Sequence, residues 1–570
     1  MGQNRREMLA KRRRTLHHHS AAAAILAVSL LAASSSFAQQ SSGGTSAPTG
    51  AAAPSLGSSG SVSLAPADRP AAQTGVSSFA DTLIPGFRLG LSVNLNETYA
   101  TNASGVANSN SGEWLTDGGL SATLNEHSRR VSLDATYQGN VSYYSGAQPT
   151  QWTNSLETVG NVIVIPDYLN FIGRAFAQPV VISNVGITTA NNSVAPGGFR
   201  NSYGFSAGPD ITFHLGDFAS SETNATYSAA YYTNVAGGSN FPGIPGVAGP
   251  ENTTSRSVSE QLTSGPDFSR LAWSATGLWS EMDRYQGLFS EKTGVGTLQY
   301  AITREFALLG TGGYDDISNV TPLSRNVSGP IAMGGFSLTF DDEFSLEVQV
   351  GEKYHSPSYL GSLRWNIGAT TIVTGTATDS ISTPEGQMLS NLSNLTASLG
   401  GQLTSSAGIY SNGAASSLGG FSAQSSGSLS FNQQIARYQR VSLNLAKDLE
   451  REHFNIDIYG ERATQLSGTF VGRPVTNSWG GQAYFAHNFT PLFTGTVGLG
   501  YTNYQELGGS ANTIDVTGEL TYSLSQDTNV YTRVDYLRRD SSAALQALSP
   551  FTGSLDDARI TIGINHTILP

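Results

Sequence analysis

The stretch RRVSLDATYQGNVSYY, residues 129–144, changes character at every step. Val131, Leu133, Ala135, Tyr137, Val141 and Tyr143 alternate with Arg130, Ser132, Asp134, Thr136, Gln138, Asn140 and Ser142. Successive side chains of a strand point to opposite faces, so this alternation describes a strand that is apolar on one side and polar on the other. Globular strands usually run about 5 to 6 residues, whereas a tilted strand crossing a bilayer needs roughly 9 to 11. This one is longer than either.

The same period returns along the chain. In EFSLEVQVGEK (343–353), Phe344, Leu346, Val348 and Val350 oppose Ser345, Glu347 and Gln349. In REHFNIDIYGER (451–462), Phe454, Ile456 and Ile458 oppose His453, Asn455, Asp457 and Glu461. NVYTRVDYLRR (529–539) sets Val530, Val534 and Tyr536 against Arg533, Asp535 and an out-of-pattern Leu537. ARITIGINHTIL (558–569) puts Ile560, Ile562, Ile564 and Ile568 on one face, interrupted only by His566. The mature chain has no apolar run of about 18 residues, so a membrane span must be made of strands in a closed barrel. The 64 glycines among 570 residues, with abundant Ser, Thr and Asn, suit strands and polar loops rather than helices.

The connections also have a rhythm. Tight breaks (165–168, 215–218, 340–344, 448–451, 525–528) alternate with long Gly/Asn/Ser-rich ones (102–112, 184–200, 235–254, 465–475, 540–555). Bacterial outer-membrane barrels alternate short periplasmic turns with longer outer loops in this way. The expected fold is therefore all-β: an antiparallel up-and-down transmembrane barrel of about 20 strands, with a range of roughly 16 to 22.

Before the barrel, residues 1–38 read as a signal peptide: a basic start (Arg5, Arg6, Lys11 and Arg12 to Arg14), the apolar AAAAILAVSLLAA, and a small-residue cleavage site ending at Ala38. Residues 39–82, rich in Ser, Gly, Ala and Pro, bury almost nothing and read as a disordered periplasmic tail, leaving 83–570 as the barrel. Cleavage would remove six basic residues and one acidic one, so the net charge of −12 becomes −17. That acidity excludes a nucleic-acid partner, whose phosphates want a basic face. There is no cysteine, so the sheet itself must supply stability.

One segment breaks the strand pattern. In 382–403, Leu389, Leu392, Leu395, Leu399 and Leu403 stand at helical spacing, Ser382 and Glu385 at capping-box spacing, and Gly400 and Gly401 at the end. The spacing predicts a short amphipathic helix in a polar insertion, 382–430. Such a helix could decorate an outer loop, or enter the lumen and make Leu389, Leu392, Leu395 and Leu399 a constriction.

The charges on polar faces, Arg130, Asp134, Glu347, Arg364, Lys447, Asp457, Glu461, Arg533 and Asp535, are expected to line a wet lumen. Tyr99, Tyr143, Tyr144, Tyr231, Tyr232, Tyr501 and Tyr504 sit near strand ends, where barrels carry aromatic girdles. The histidines after residue 38 are His127, His214, His355, His453, His487 and His566, and none has the spacing of a metal site, so no metal or cofactor is expected. His355 and Ser356 are the nearest approach to a hydrolytic pair. Adjacent strand residues diverge, however, so no catalytic residue is expected, and a lipid hydrolase stands only as an alternative.

GFRLGLSVNLNETYATN (86–102), NSYGFSAGPDITFHLGD (201–217) and the hairpins of 336–383 resemble the β-barrel porins of Gram-negative outer membranes. They are especially similar to the barrel associated with PEP-CTERM and exopolysaccharide gene clusters. The likeness spans most of 86–570 and implies a non-enzymatic channel tied to exopolysaccharide export. Its implied partners are the outer-membrane lipid bilayer, a polysaccharide and the barrel assembly machinery. It carries no catalytic residues. One departure is the final Ile568-Leu569-Pro570, where such barrels usually finish on an aromatic residue. A structural barrel with a plugged lumen remains the other alternative.

Overall fold

A computed structural model describes residues 87–103, 112–146, 150–181, 199–232, 252–284, 287–319, 327–341, 343–382, 395–397, 403–405, 435–466, 475–506, 509–546 and 553–569. The expected leader and tail, 1–38 and 39–82, lie outside them.

The opening stretch forms a strand, β3 (Val131–Tyr144), between β2 (Glu113–His127) and β4 (Gln151–Ile165). β1 (Phe87–Ala100) starts the sheet, and β5 (Leu169–Val181), β6 (Phe199–Leu215), β7 (Ala219–Tyr232) and β8 (Thr253–Ser264) extend it. Next come β9 (Leu271–Arg284), β10 (Gly287–Ala301), β11 (Phe306–Asn319), β12 (Val327–Phe340), β13 (Phe344–Lys353), β14 (Ser356–Ile367) and β15 (Thr371–Ser382). β16 (Leu395–Ala397) and β17 (Leu403–Ser405) form a separate hairpin. The sheet resumes with β18 (Ala436–Asp448), β19 (Glu452–Gln465), β20 (Val475–Thr490), β21 (Phe493–Glu506), β22 (Gly509–Ser523), β23 (Thr528–Ser541) and β24 (Leu555–Leu569), with one helical turn, α1 (Ala543–Gln546), before the last strand.

Each barrel strand pairs antiparallel with its neighbour in the chain, β15 with β18, and β24 returns to β1 from Leu91↔Leu569 to Ala100↔Arg559. The result is a closed up-and-down barrel of 22 strands, at the top of the expected range. Closure gives every strand of the barrel a neighbour on both sides, which a sheet in lipid requires.

Parity runs as the sequence indicates. Val93, Leu95, Tyr137, Val350, Ile458, Val534, Ile560 and Ile562 are exposed on the outer face, while Thr98, Asp134, Gln349, Asp535 and Thr561 are buried on the inner one. All five short breaks fall at one end and all five long ones at the other. Three connections at the long-loop end are also short, with two residues each between β9 and β10, β13 and β14, and β21 and β22.

The β13–β14 connection is Tyr354-His355, with φ of 57° and 55°. Two left-handed residues flanked by the Lys353↔Ser356 pair match a primed hairpin turn, which normally uses Asn-Gly. A non-glycine residue costs roughly 1 to 2 kcal/mol in this region. Tyr354 offsets that cost by burying its ring beneath the Lys353 ammonium, 4.6 Å from the ring centroid, whereas His355 projects into solvent. His355→Gly should therefore raise stability by about 1 kcal/mol, and Tyr354→Gly should lower it despite relieving the same strain. Denaturant midpoints of the refolded barrel measure both.

The outer face generates a second expectation. Ile458, mid-strand and exposed on β19, should not accept a charge: Ile458→Lys is expected to cost about 2 to 4 kcal/mol. Asn444→Lys, on the inner face of β18 opposite Asp457, should leave heat-modifiable gel mobility close to that of the parent.

Candidate functional site: the lumen

Aromatic side chains mark both rims of the apolar band. At the short-turn end, Phe340, Phe344 and Trp365 follow one another at centroid distances of 5.8 and 6.2 Å, and Phe489, Phe493 and Tyr522 do so at 5.2 and 6.5 Å. At the long-loop end, Tyr99 lies 5.2 Å from Trp114, and Trp479 lies 5.2 Å from Tyr501. Amphipathic rings at the two levels where an apolar band meets water are what a bilayer-facing wall requires. Of the expected girdle, Tyr99 and Tyr143 are exposed outward, and Tyr231 and Tyr501 share the outward parity. Tyr144 and Tyr504 point inward instead, each 4% exposed, because each stands one residue out of step with its outward neighbours. The side chain of Tyr232 lies outside the described residues.

Inside, register decides which charges meet. Asp134 is buried on β3, with His127 Nε2 3.2 Å from its carboxylate. Glu347 accepts a hydrogen bond from Gln349 Nε2 at 2.8 Å, and Gln349 Oε1 accepts one from Thr311 at 2.7 Å. Arg364 stands between Ser345 and Thr374 on the same inward face. Glu461 is the ladder partner of Arg440, and Asp457 receives Gln482 Nε2 at 3.5 Å. Arg533 Nε meets Asp535 at 3.0 Å, and Asp535 also accepts from Thr517 at 2.7 Å. Arg130 has the inward parity but sits exposed in the β2–β3 turn, at the mouth rather than in the lumen.

Lys447 is a correction. The inward set of β18 is Arg440, Ser442, Asn444 and Ala446, whereas Lys447 shares the face of Val441 and Leu443 and pairs with Thr371 and Phe454. One residue from the strand end, its long side chain reaches the interfacial water, which explains a cation on the outer face.

The lumen also holds charges that the sequence-based list omits. Asp117, Asp515, Glu519, Asp557 and Arg559 share the inward face of β2, β22 and β24. Glu519 is opposite Arg533 and Asp535 opposite Arg559, while Arg559 Nε lies 2.5 Å from Asp557. Acid and base thus alternate across adjacent strands, the arrangement that favours cross-strand pairing. Alternation within TIDVTGEL (513–520) and DDARITIG (556–563) is the signal that could have found four of them.

The second difference is that the inner wall is not polar throughout. Phe176 of β5, Ala230 of β7, Met282 of β9, Phe289 of β10 and Ile317 of β11 face inward and join Tyr354, Ile381 and Ile435 in one buried apolar cluster. Period-2 reading sorts faces by majority, so single apolar residues on inner faces of different strands escape it. Beside this cluster the wall has a seam. The β14–β15 ladder stops at Gly361↔Ala377, although β14 reaches back to Ser356 and β15 continues to Ser382. Above the break, Arg437 of β18 donates from Nε to Asp379 Oδ1 and from Nη2 to the Pro357 carbonyl, both at 2.8 Å, with its guanidinium over the Tyr354 ring. Pro357 has no N–H to give a ladder, so a side chain bridges what the backbone leaves open.

The insertion is the third correction. Leu395–Ala397 and Leu403–Ser405 form the hairpin β16–β17, not the end of a helix. Leu–Thr alternation in these short pieces suits pairing, and helical spacing of leucines alone did not outweigh it. Leu389, Leu392 and Leu399 lie outside the described residues. The hairpin packs against β3 and β4, nine strand spacings from the insertion's roots one way round the barrel and eleven the other. It has therefore crossed the opening to the far wall.

Among the described residues no group of three or more His, Asp or Glu could hold a metal ion. His355 lies 3.9 Å from Glu352 at the tip of its turn, while Ser356 pairs with Lys353 in the ladder.

No family model matches this chain, and no curated protein matches it. Among solved structures, it is similar to the siderophore receptor PirA from Pseudomonas aeruginosa (11% identity, 85% of this chain over 80% of that one, TM-score 0.40). It is also similar to the FrpB iron transporter from Neisseria meningitidis, F5-1 variant (10% identity, 84% over 82%, TM-score 0.43), and to OprD from Pseudomonas aeruginosa (7% identity, 85% over 97%, TM-score 0.32).

Arg437 and Asp379 are both buried, so removing one partner strands the other. Arg437→Met is expected to cost about 3 to 5 kcal/mol, and the double variant Arg437→Met/Asp379→Leu should recover most of that loss. Unfolding in urea, followed by gel mobility, distinguishes the two.

Proposed function

We propose that this chain is a non-enzymatic channel of a Gram-negative outer membrane that takes part in exopolysaccharide export. The observation that carries the channel is the pairing of an apolar outer band, rimmed by rings at both levels, with an inner wall of paired acids, bases and amides. A sheet closed at 22 strands has room for an aqueous path, since 16 to 18 strands already leave one in porins. In this reading residues 1–38 direct export and are cleaved, 39–82 form a periplasmic tail, and 83–570 are inserted by the barrel assembly machinery. The short turns face the periplasm. The polysaccharide assignment rests on the family resemblance and on a lumen rich in hydroxyl, amide and carboxylate groups.

The position of β16–β17 favours a companion reading in which the insertion 382–430 narrows the channel. Deleting 384–430 and joining the flanks with a short Gly/Ser linker should raise single-channel conductance in planar bilayers. Unchanged conductance with normal gel mobility would place the insertion outside the conducting path. For the export role, a strain lacking the gene should retain polysaccharide in the periplasm and regain secretion with the full chain. Undiminished secretion would refute it.

A further inference from the structure

Three lumen tyrosines share one construction. Tyr459 of β19 stands opposite Gly480 of β20, Tyr484 of β20 opposite Gly498 of β21, and Tyr531 of β23 opposite Gly563 of β24. In each case the glycine is on the next strand in the chain; for Tyr459 and Tyr531 the hydroxyl continues past it to a side chain one strand further on, while Tyr484 finds its partner on the glycine's own strand. Tyr459 Oη lies 3.3 Å from Thr502 of β21, and Tyr531 Oη donates to Asn96 of β1 at 2.7 Å. Tyr484 hydrogen-bonds Thr496 of β21. A Cβ at Gly480 would lie 2.9 Å from Tyr459 Oη, and one at Gly563 would lie 2.5 Å from Tyr531 Cζ. The glycines are bare because these two rings occupy the space, lying along the wall with one face on it. Such rings are two-sided, and the other face looks into the lumen.

Hydrogen-bonding groups flank each ring at two residues' distance, on the same inner face: Asp457 and Glu461 beside Tyr459, Gln482 beside Tyr484, and Asn529 and Arg533 beside Tyr531. A flat ring offers its face to the C–H side of a pyranose, while carboxylates, amides and guanidinium bind the hydroxyls at its edge. The rings also climb. Tyr531 is the fourth residue from the short-turn end of β23, Tyr484 the seventh from that end of β20, and Tyr459 the eighth of β19. Four residues of offset put Tyr484 and Tyr459 about 14 Å apart along the wall, several sugar units rather than one.

We propose that Tyr531, Tyr484 and Tyr459 are a stepped track of stacking platforms for a hydroxyl-rich glycan chain. This rests on the channel reading and names its substrate class and contact residues. The track runs up β19 to β23, and the apolar cluster, drawn from β5, β7 and β9 to β11 with Tyr354, Ile381 and Ile435, lies towards the long loops.

The test titrates the full mature protein in detergent with cellohexaose, maltohexaose and a mannuronate hexamer, followed by calorimetry, with the 384–430 deletion run alongside so that a narrowed mouth cannot hide the lumen. At least one neutral hexasaccharide is expected to bind. Tyr459→Ala and Tyr531→Ala should each weaken it fivefold or more, while Tyr459→Phe and Tyr531→Phe, which keep the ring, stay within about twofold of the parent. No binding of any of the three probes to either form overturns the track, as does binding that the alanine variants leave intact. Conductance in planar bilayers is read separately: binding without conductance keeps the track and sinks the channel, and conductance without binding does the reverse.

Discussion

Lipid offers no hydrogen bond to a peptide group, and that one deficiency governs this fold. A strand between apolar surroundings must give every N–H and C=O a partner, so the sheet has to close on itself. Once it closes, parity is no longer free. A slip of one residue would turn Asp134, Asp535 and Arg559 to the lipid and Ile560 and Ile562 to the water. The side-chain pattern and the backbone ladder therefore enforce each other around all 22 strands.

This mutual enforcement explains what was legible in the sequence. The closed barrel, its up-and-down order, the end that carries each of ten breaks, and the inward placement of Asp134, Glu347, Arg364, Asp457, Glu461, Arg533 and Asp535 all follow from period 2 and turn composition. What escaped did so for identifiable physical reasons. Tyr354-His355 makes a left-handed turn without the glycine that usually announces one. Lys447 was judged by its charge when its distance from Val441 and Leu443 fixes its face. The glycines under Tyr459 and Tyr531 look like flexibility in a sequence and are filled space in the fold. The apolar cluster draws its members one or two at a time from many strands, and no window along the chain contains it.

The inner wall is consequently uneven. Between β18 and β3 it presents paired charges, amides and tyrosines, while towards the long loops β5 to β11 present Phe, Met and Ile. The seam between β14 and β15 stands at the border of the two regions. There Arg437 does with a side chain what the ladder does elsewhere, and it serves Pro357, Asp379 and Tyr354 at once. A backbone closure is insensitive to side-chain identity. Here seven backbone pairs, from Gly361↔Ala377 to Ile367↔Thr371, hold the lower part of the join, and above them it depends on this one side chain.

The meeting of β1 and β24 has a kinetic consequence. Every other ladder of the barrel except β15–β18, which flanks the insertion, joins strands that are neighbours in the chain, so hairpins can accumulate locally and quickly. The last join brings Thr98 to Thr561, 463 residues apart in sequence. Closing a flexible chain of that length would cost about 5 kcal/mol in entropy, and the preceding hairpins reduce the cost by shortening the free path. Until β24 arrives, the growing sheet carries two open edges, each able to pair with another molecule. The pairing of β24 with β1 thus separates a closed barrel of 22 strands from an open sheet that can aggregate.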